Sequence, residues 1–371
     1  MPSGLQGATM LLRSFITALL CCGIGQAQAQ DAEGQALAKA AGIPWPAIIA
    51  HRGASFDAPE STRASYLLAR DLGADYLEMD LQRTRDGQLI ALHDTNLGRT
   101  TNIASQFPQR KDQPVNQFTL AQLKTLDAGS WFNQANPGRA RASYAGLKIL
   151  TLDEIIDIAD QDSAHRPGLY IETKAPLLFP GIEQDLKAKL VQRGWLTADG
   201  QVAPGHRVVL QTFEKGSLTL LNQFMPQVPK VLLLWVGEGS IEPKVNSAYD
   251  PANGESKAAY YARQQPRDRA EFERWLDVAK ANGAVGIGPS AALTQGGDQS
   301  YMDLVQPWMN QMAHAKGLLV HVYTVDEPVD FRKVMGAGVD GIFSNRSSEL
   351  LKFYQRPVSR GVDRILEANG F

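Results

Sequence analysis

Four short apolar runs in this chain end in side chains able to do chemistry. IIAHRG ends on His51 and Arg52, YLEMDL carries Glu78 and Asp80, QLIALHD reaches His93, and GLYIETK carries Glu172 and Lys174. Glu78 and Asp80 are one residue apart, so on a strand both project from the same face. Two carboxylates held together repel and drive one pKa up unless a cation sits between them. With Glu172 they form an all-oxygen set suited to a hard divalent ion, Ca²⁺ or Mg²⁺, and not to Zn²⁺. The alternative for the same residues is a salt-bridge network with Arg52, Arg83 or Lys174.

Histidine titrates near neutrality and can give or take a proton. Of the six histidines, His51 and His93 end strand-like runs on either side of the acid pair. Such a pair beside a cation suits cleavage of a phosphate ester: one ring deprotonates the nucleophile, the other protonates the leaving oxygen. Arg52 and Lys174 have the chemistry to hold the phosphate, the first as a bidentate fork and the second as a point charge. His165 and His206 lie in polar stretches and His314 late in a helical pattern. His321 shares strand parity with Tyr323 but reads as a packed core residue.

The elements that would position these groups alternate. Strand-like runs at 47–53, 75–81, 88–94, 168–174, 207–213, 230–236, 284–290, 318–325 and 340–345 are separated in many cases by helical patterns, several ending on Gly. Continuous apolar strands between helices predict a parallel sheet covered by helices. About eight such units in one chain predict an α/β fold, the TIM (β/α)₈ barrel, whose chemistry sits at the C-terminal ends of its strands. The Asn-, Gln-, Gly- and Arg-rich stretch 95–147 reads as a small insertion after the second strand region, and 237–270 as a second, polar insertion. Trp131 and Phe132 of the first insertion could pack or cover the site.

With 37 basic against 39 acidic residues there is no field for a polyanion, so nucleic acid is not an expected partner. At the N-terminus Arg13 precedes SFITALLCCGIG, and Ala27 and Ala29 give a cleavage pattern. A signal peptide over 1–29 is therefore expected, leaving 30–371 as one exported barrel domain with no cysteine and no integral membrane segment. The destination would be periplasmic in a Gram-negative source and secreted otherwise.

HRGASFDAPEST, GADYLEMDLQRTRDGQLIALHD, LGRTTN, LKTLDAGSWF, ILTLDEII, LYIETKAP, LQTF, YTVD and GVDGIFSN follow one another from His51 to Asn345. In content and order they resemble the motifs of glycerophosphodiester phosphodiesterases. The resemblance implies a TIM barrel and a divalent cation on Glu78, Asp80 and Glu172. It also implies an acid/base pair of His51 and His93, phosphate contacts from Arg52 and Lys174, and a glycerol side lined by Phe213, with Tyr323 on the substrate side. The implied substrate is a small glycerophosphodiester such as glycerophosphocholine, cleaved by water to glycerol 3-phosphate and an alcohol. Exported members resemble Ca²⁺ enzymes, which favours Ca²⁺ over Mg²⁺. Four positions depart from the family pattern. Ser61 stands for the Asn of PEN-T, Tyr323 for the Trp and Asp326 for the Asn of W-T-V-N, and Asn345 for an Asp that often follows DGI-F/I-T. Two rival readings are a phospholipase D-like esterase acting on intact phospholipids and an exported protein that binds phosphodiesters without turnover.

Overall fold

Among the described residues nine strands form: β1 Ala47–Ala50, β2 Tyr76–Arg83, β3 Leu89–Ala91, β4 Gly168–Thr173, β5 Val208–Thr212, β6 Lys230–Leu234, β7 Gly286–Pro289, β8 Leu319–Val322 and β9 Gly341–Ser344. The computed structural model describes residues 31–371 except 162–164, 238–239, 245–247 and 359. The expected signal segment over 1–29, with both cysteines, lies outside the described residues. Eight strands run parallel in the circular order β1-β2-β4-β5-β6-β7-β8-β9, and β9 pairs back onto β1. This is the closed TIM barrel.

The strands are buried on both faces, as a parallel barrel requires. Their outward side chains, Ile48, Leu77, Ile171 and Leu210 among them, join the helices in one large apolar cluster. The inward ones, Ile49, Tyr76, Tyr170, Val209, Leu319 and Phe343, form a second cluster inside the ring. Tyr76 and Tyr170 meet edge-on at 5.5 Å between ring centroids, and Tyr170 and Phe343 at 4.9 Å. That aromatic plug is the floor on which the polar groups at the strand ends stand.

QLIALHD, expected as another member of the alternating series, is not a barrel strand. β3 runs antiparallel to β2, with Leu81 opposite Ala91 and Arg83 opposite Leu89. The reason lies in the connection: Thr84-Arg85-Asp86-Gly87-Gln88 turns back at once, Gly87 taking a φ of 80° and its N–H donating to the Thr84 carbonyl at 3.0 Å. Parallel neighbours need a crossover of a dozen residues or more, whereas a short Asp-Gly turn makes a hairpin.

Helices form between the strands over Arg63–Leu72, Leu152–Asp160, Ile182–Gln192, Arg269–Ala281, Pro307–Ala315 and Pro328–Gly336. Thr151 and Glu154 cap one of them reciprocally: the Thr151 N–H donates to Glu154 Oε2 at 2.7 Å, and the Glu154 N–H to Thr151 Oγ1 at 3.2 Å. Lys215–Phe224 is a further helix, masked in the sequence by Gly216, Thr219 and Asn222, all poor helix formers. The 95–147 stretch folds as short helical turns around a buried core of Phe118, Phe132 and Tyr144. Phe132 packs on Tyr144 and Trp131 lies beside Arg99, so neither covers the cavity described below. Among the described residues no helix is long and apolar enough to cross a membrane.

Candidate active site

Strand register assembles the acids. Asp80 on β2 is the pairing partner of Glu172 on β4, and Glu172 in turn of Gln211 on β5. One row of the barrel thus presents carboxylate, carboxylate and amide side by side, with Glu78 on the same face two residues before Asp80. All four are buried, and one oxygen from each of Glu78, Asp80 and Glu172 lies within 4.8 Å of the others.

Two cations answer three acids. Arg52 sits just past β1 with a left-handed φ of 57°, strained for a non-glycine residue. That turn lets its backbone N–H donate to Glu78 Oε2 at 2.8 Å while its Nε lies 3.1 Å from Asp80 Oδ2 and its Nη1 donates to Glu60 at 3.1 Å. Lys174, just past β4, puts Nζ 3.3 Å from Glu172 and 3.7 Å from Asp80. Burial, then the Asp80 charge, pushes the Glu78 carboxyl well above its ordinary pKa. Burial likewise carries Glu172 up to about 7. Asp80 goes the other way: burial would raise it, but Arg52 and Lys174 outweigh burial and hold it below the usual carboxylate range.

The set fits a hard divalent cation. Asp80 Oδ2 is buried without a hydrogen bond, the nearby Arg52 Nε being off line, and Gln211 Oε1 is buried and unpartnered as well. Buried acceptors left open beside surplus negative charge are what an oxygen-binding ion satisfies.

The two histidines have different holders. His51 Nδ1 lies 2.7 Å from Asn345 Oδ1. Burial, then Arg52, pushes its pKa down to about 3. His93 Nδ1 lies 2.7 Å from Asp94 Oδ1. The His93 hydrogen bond, with support from Arg99, keeps Asp94 below its ordinary range. Arg99 donates to Asp94 at 2.8 Å and 2.9 Å and, through two bonds of 2.7 Å, to Glu60. His93 is not at a barrel strand end, as expected from the sequence, but on the segment after the β3 arm. Gln82 of β2 pins that segment by donating from Nε2 to the carbonyls of Leu92 (2.6 Å) and Asp94 (2.8 Å).

These groups line one cavity of about 440 Å³, which holds His51, Arg52, Glu78, Asp80, His93, Glu172 and Lys174 together. Its other wall is aromatic. Trp235 and Tyr323 stack with ring planes 8° apart, and Phe213 meets Tyr323 edge-on at 5.7 Å. Each predicted site residue therefore reaches the same space. His321 stays below it, buried and 2.9 Å from the Tyr170 hydroxyl, and His314 is bonded to Asp340. Ser61 adopts a left-handed φ of 56°, a conformation that Asn takes more readily than Ser. Sequence reading missed Asp94, Arg99, Glu60, Gln211 and Trp235. Asp94 had a signal, being next to His93; the Glu60–Arg99 pair, 39 residues apart, had none.

Residues 51–349 match the glycerophosphoryl diester phosphodiesterase family. A glycerophosphodiester phosphodiesterase of Bacillus subtilis is 36% identical over 297 residues, covering 80% of this chain and 82% of its own. One from Caldanaerobacter subterraneus is 28% identical, covering 83% and 98%. Among solved structures, an Oleispira antarctica phosphodiesterase in complex with the product sn-glycerol-3-phosphate shares the fold at 23% identity and a TM-score of 0.59, covering 84% of this chain and 97% of that one. A match over most of the chain makes this protein a phosphoric diester hydrolase and a member of the glycerophosphoryl diester phosphodiesterase family.

Proposed function

We propose that this enzyme hydrolyses small glycerophosphodiesters to glycerol 3-phosphate and an alcohol, with His51 as general base and His93 as general acid. The observation that carries the reading is the unequal support of two histidines in one cavity beside three buried carboxylates. His51 is buried against a neutral amide and is uncharged at neutral pH, as a proton acceptor must be. His93 has the Asp94 carboxylate on Nδ1, which supplies the counter-charge that a doubly protonated ring needs. His51 takes the proton of the attacking hydroxyl, either water or the substrate's own neighbouring glycerol hydroxyl. An oxygen–phosphorus bond forms, the bond from phosphorus to the alcohol oxygen breaks, and His93 gives that oxygen its proton. If the glycerol hydroxyl attacks first, water opens the resulting cyclic phosphate in a second step.

Glu78, Asp80 and Glu172 would hold one divalent cation, Ca²⁺ in preference to Mg²⁺, with Gln211 Oε1 at hand. When bound, the ion supplies positive charge to the phosphate and acidifies a coordinated hydroxyl. Arg52 and Lys174 steady the phosphate oxygens, and Phe213 and Tyr323 take the apolar side of the substrate. The reading includes export, with a signal peptide over 1–29 and one barrel domain over 30–371. The test is glycerol 3-phosphate release from glycerophosphocholine after chelation and again with Ca²⁺ or Mg²⁺ restored. Release is expected to stop on chelation and return more fully with Ca²⁺. Undiminished release by the chelated enzyme would remove the cation from the proposal.

One observation favours the phospholipid rival. Leu177 and Leu178, just after the phosphate-side Lys174, are 83% and 42% exposed and offer an interfacial contact. Two leucines make a small patch, so glycerophosphocholine is expected to be cleaved and phosphatidylcholine vesicles to be left intact. Cleavage of the vesicles at a comparable rate would reverse that choice.

A further inference from the structure

Asp326 and Asn345 touch each other, and through Asn345 the Asp326 carboxylate reaches His51. Asp326 Oδ1 accepts from the Asn345 backbone N–H at 2.8 Å and from Ser344 Oγ at 3.1 Å, and its Oδ2 accepts from Asn345 Nδ2 at 2.7 Å. A carboxylate only accepts, so it fixes which end of the Asn345 amide faces it. The amide oxygen must then point the other way, where it lies 2.7 Å from Ser55 Oγ and 2.7 Å from His51 Nδ1. An amide oxygen also only accepts. The imidazole hydrogen therefore sits on Nδ1, and Nε2 is the bare nitrogen left for the cavity that His51 lines.

We infer that Asp326 and Asn345 are a pair of positioning residues that fix the tautomer and plane of His51, with the charge placed one side chain away from the ring. The inference rests on His51 being the proton acceptor. Asn345→Asp alone would set two carboxylates at hydrogen-bond distance, where one is repelled or must hold a proton. Asp326→Asn alone removes an acceptor-only group, so nothing dictates the orientation of the Asn345 amide. In the double variant Asp326→Asn/Asn345→Asp each hydrogen bond has a counterpart. The new amide accepts from the same backbone N–H and Ser344 hydroxyl and donates to the new carboxylate, which accepts from Ser55 and His51. Hydrogen bonding is conserved, and only the position of the negative charge changes.

The experiment compares wild type, both single variants and the double variant, with His51→Gln as the control for the underlying reading. Each Ca²⁺-loaded protein is measured for kcat, KM with glycerophosphocholine and thermal midpoint, and as [¹⁵N]histidine-labelled protein by NMR, the His51 signals being those lost in His51→Gln. In the wild type the His51 proton is expected on Nδ1. Asn345→Asp is expected to lose about 10²-fold or more in kcat, the scale of a misplaced proton carrier, with little change in KM. The double variant is expected to recover the thermal midpoint and most of kcat, and to shift the Nδ1 proton downfield, because a charged acceptor makes a shorter bond. A His51 proton found on Nε2 overturns the inference. So does a double variant no more active than Asn345→Asp, or a loss expressed in KM with kcat unchanged. An undiminished kcat in His51→Gln overturns the base assignment itself, and the pair's role with it.

Discussion

His51→Gln and His93→Gln are each expected to lower kcat on glycerophosphocholine by about 10²–10⁴-fold, the contribution of a positioned proton carrier. The two losses are expected to part when the leaving alcohol is changed. His93 is assigned to the departing oxygen, so an alcohol acidic enough to leave without a proton, such as p-nitrophenol, makes its help dispensable. On glycerol 3-phospho-p-nitrophenol the His93→Gln enzyme should regain most of the lost rate, while His51→Gln should regain little, because the nucleophile still needs its base. The measurement is the ratio of kcat values on the two substrates for each variant. Equal ratios would contradict the division of labour, and recovery by His51→Gln alone would reverse it. The structural ground is the contrast between Asn345 on one ring and Asp94 on the other.

The second large effect concerns the acid cluster. Three buried carboxylates face Arg52 and Lys174, so without a bound ion one carboxyl gains by keeping a proton, and burial with Asp80 selects Glu78. Glu78→Gln has nearly the shape of that protonated acid. The metal-free variant is therefore expected to fold with a thermal midpoint at or above that of the metal-free wild type. Ca²⁺ at a hundred times its Kd should stabilise the wild type by about 2.7 kcal/mol, the mass-action value for a ligand of the folded state alone. That gain should be largely absent in Glu78→Gln, and activity should fall with it. Protons and cation compete for the same oxygens. With Glu172 carried to about 7 and Glu78 raised too, apparent Ca²⁺ affinity is expected to weaken as the pH falls through neutrality. Calorimetric titration at several pH values checks the sign. A variant that keeps the full Ca²⁺-dependent rise in midpoint would sink the cation assignment. A metal-free variant that collapses would show the acids to be a structural salt-bridge network.

The barrel was legible because parallel strands buried on both faces announce themselves as unbroken apolar runs, and eight of the nine runs became barrel strands. The facing of Glu78 and Asp80 followed from the two-residue repeat of a strand. Their convergence with Glu172 did not, since it depends on the register of β2 against β4, which periodicity leaves open. QLIALHD was misplaced because its composition matches a barrel strand; the deciding clue was the short Asp-Gly connection before it. The supports of the histidines were the least readable. Asn345 reaches His51 across 294 residues and Arg99 reaches Glu60 across 39, and no local pattern joins such partners. Trp235, one residue past β6, carries no local sign that the closed ring sets it against Tyr323.

The β3 arm has one more consequence. The His51 backbone N–H is bonded to the Ser344 carbonyl at 3.1 Å, which ties the proposed base to the seam where β9 meets β1. His93 follows a three-residue arm outside the ring, held by its ladder with β2, the bonds from Leu92 to Asp80 and from Ala91 to Leu150, a bridge from Ile90 to Thr151, the Gln82 staple and burial of its apolar side chains. Lying outside the closed ring, the arm is expected to open before the barrel strands do. The proposed proton donor thus follows the added arm, and the proposed acceptor sits on the ring itself. Hydrogen exchange is therefore expected to reach the β3 amides before those of β1, and the opposite order would contradict the difference.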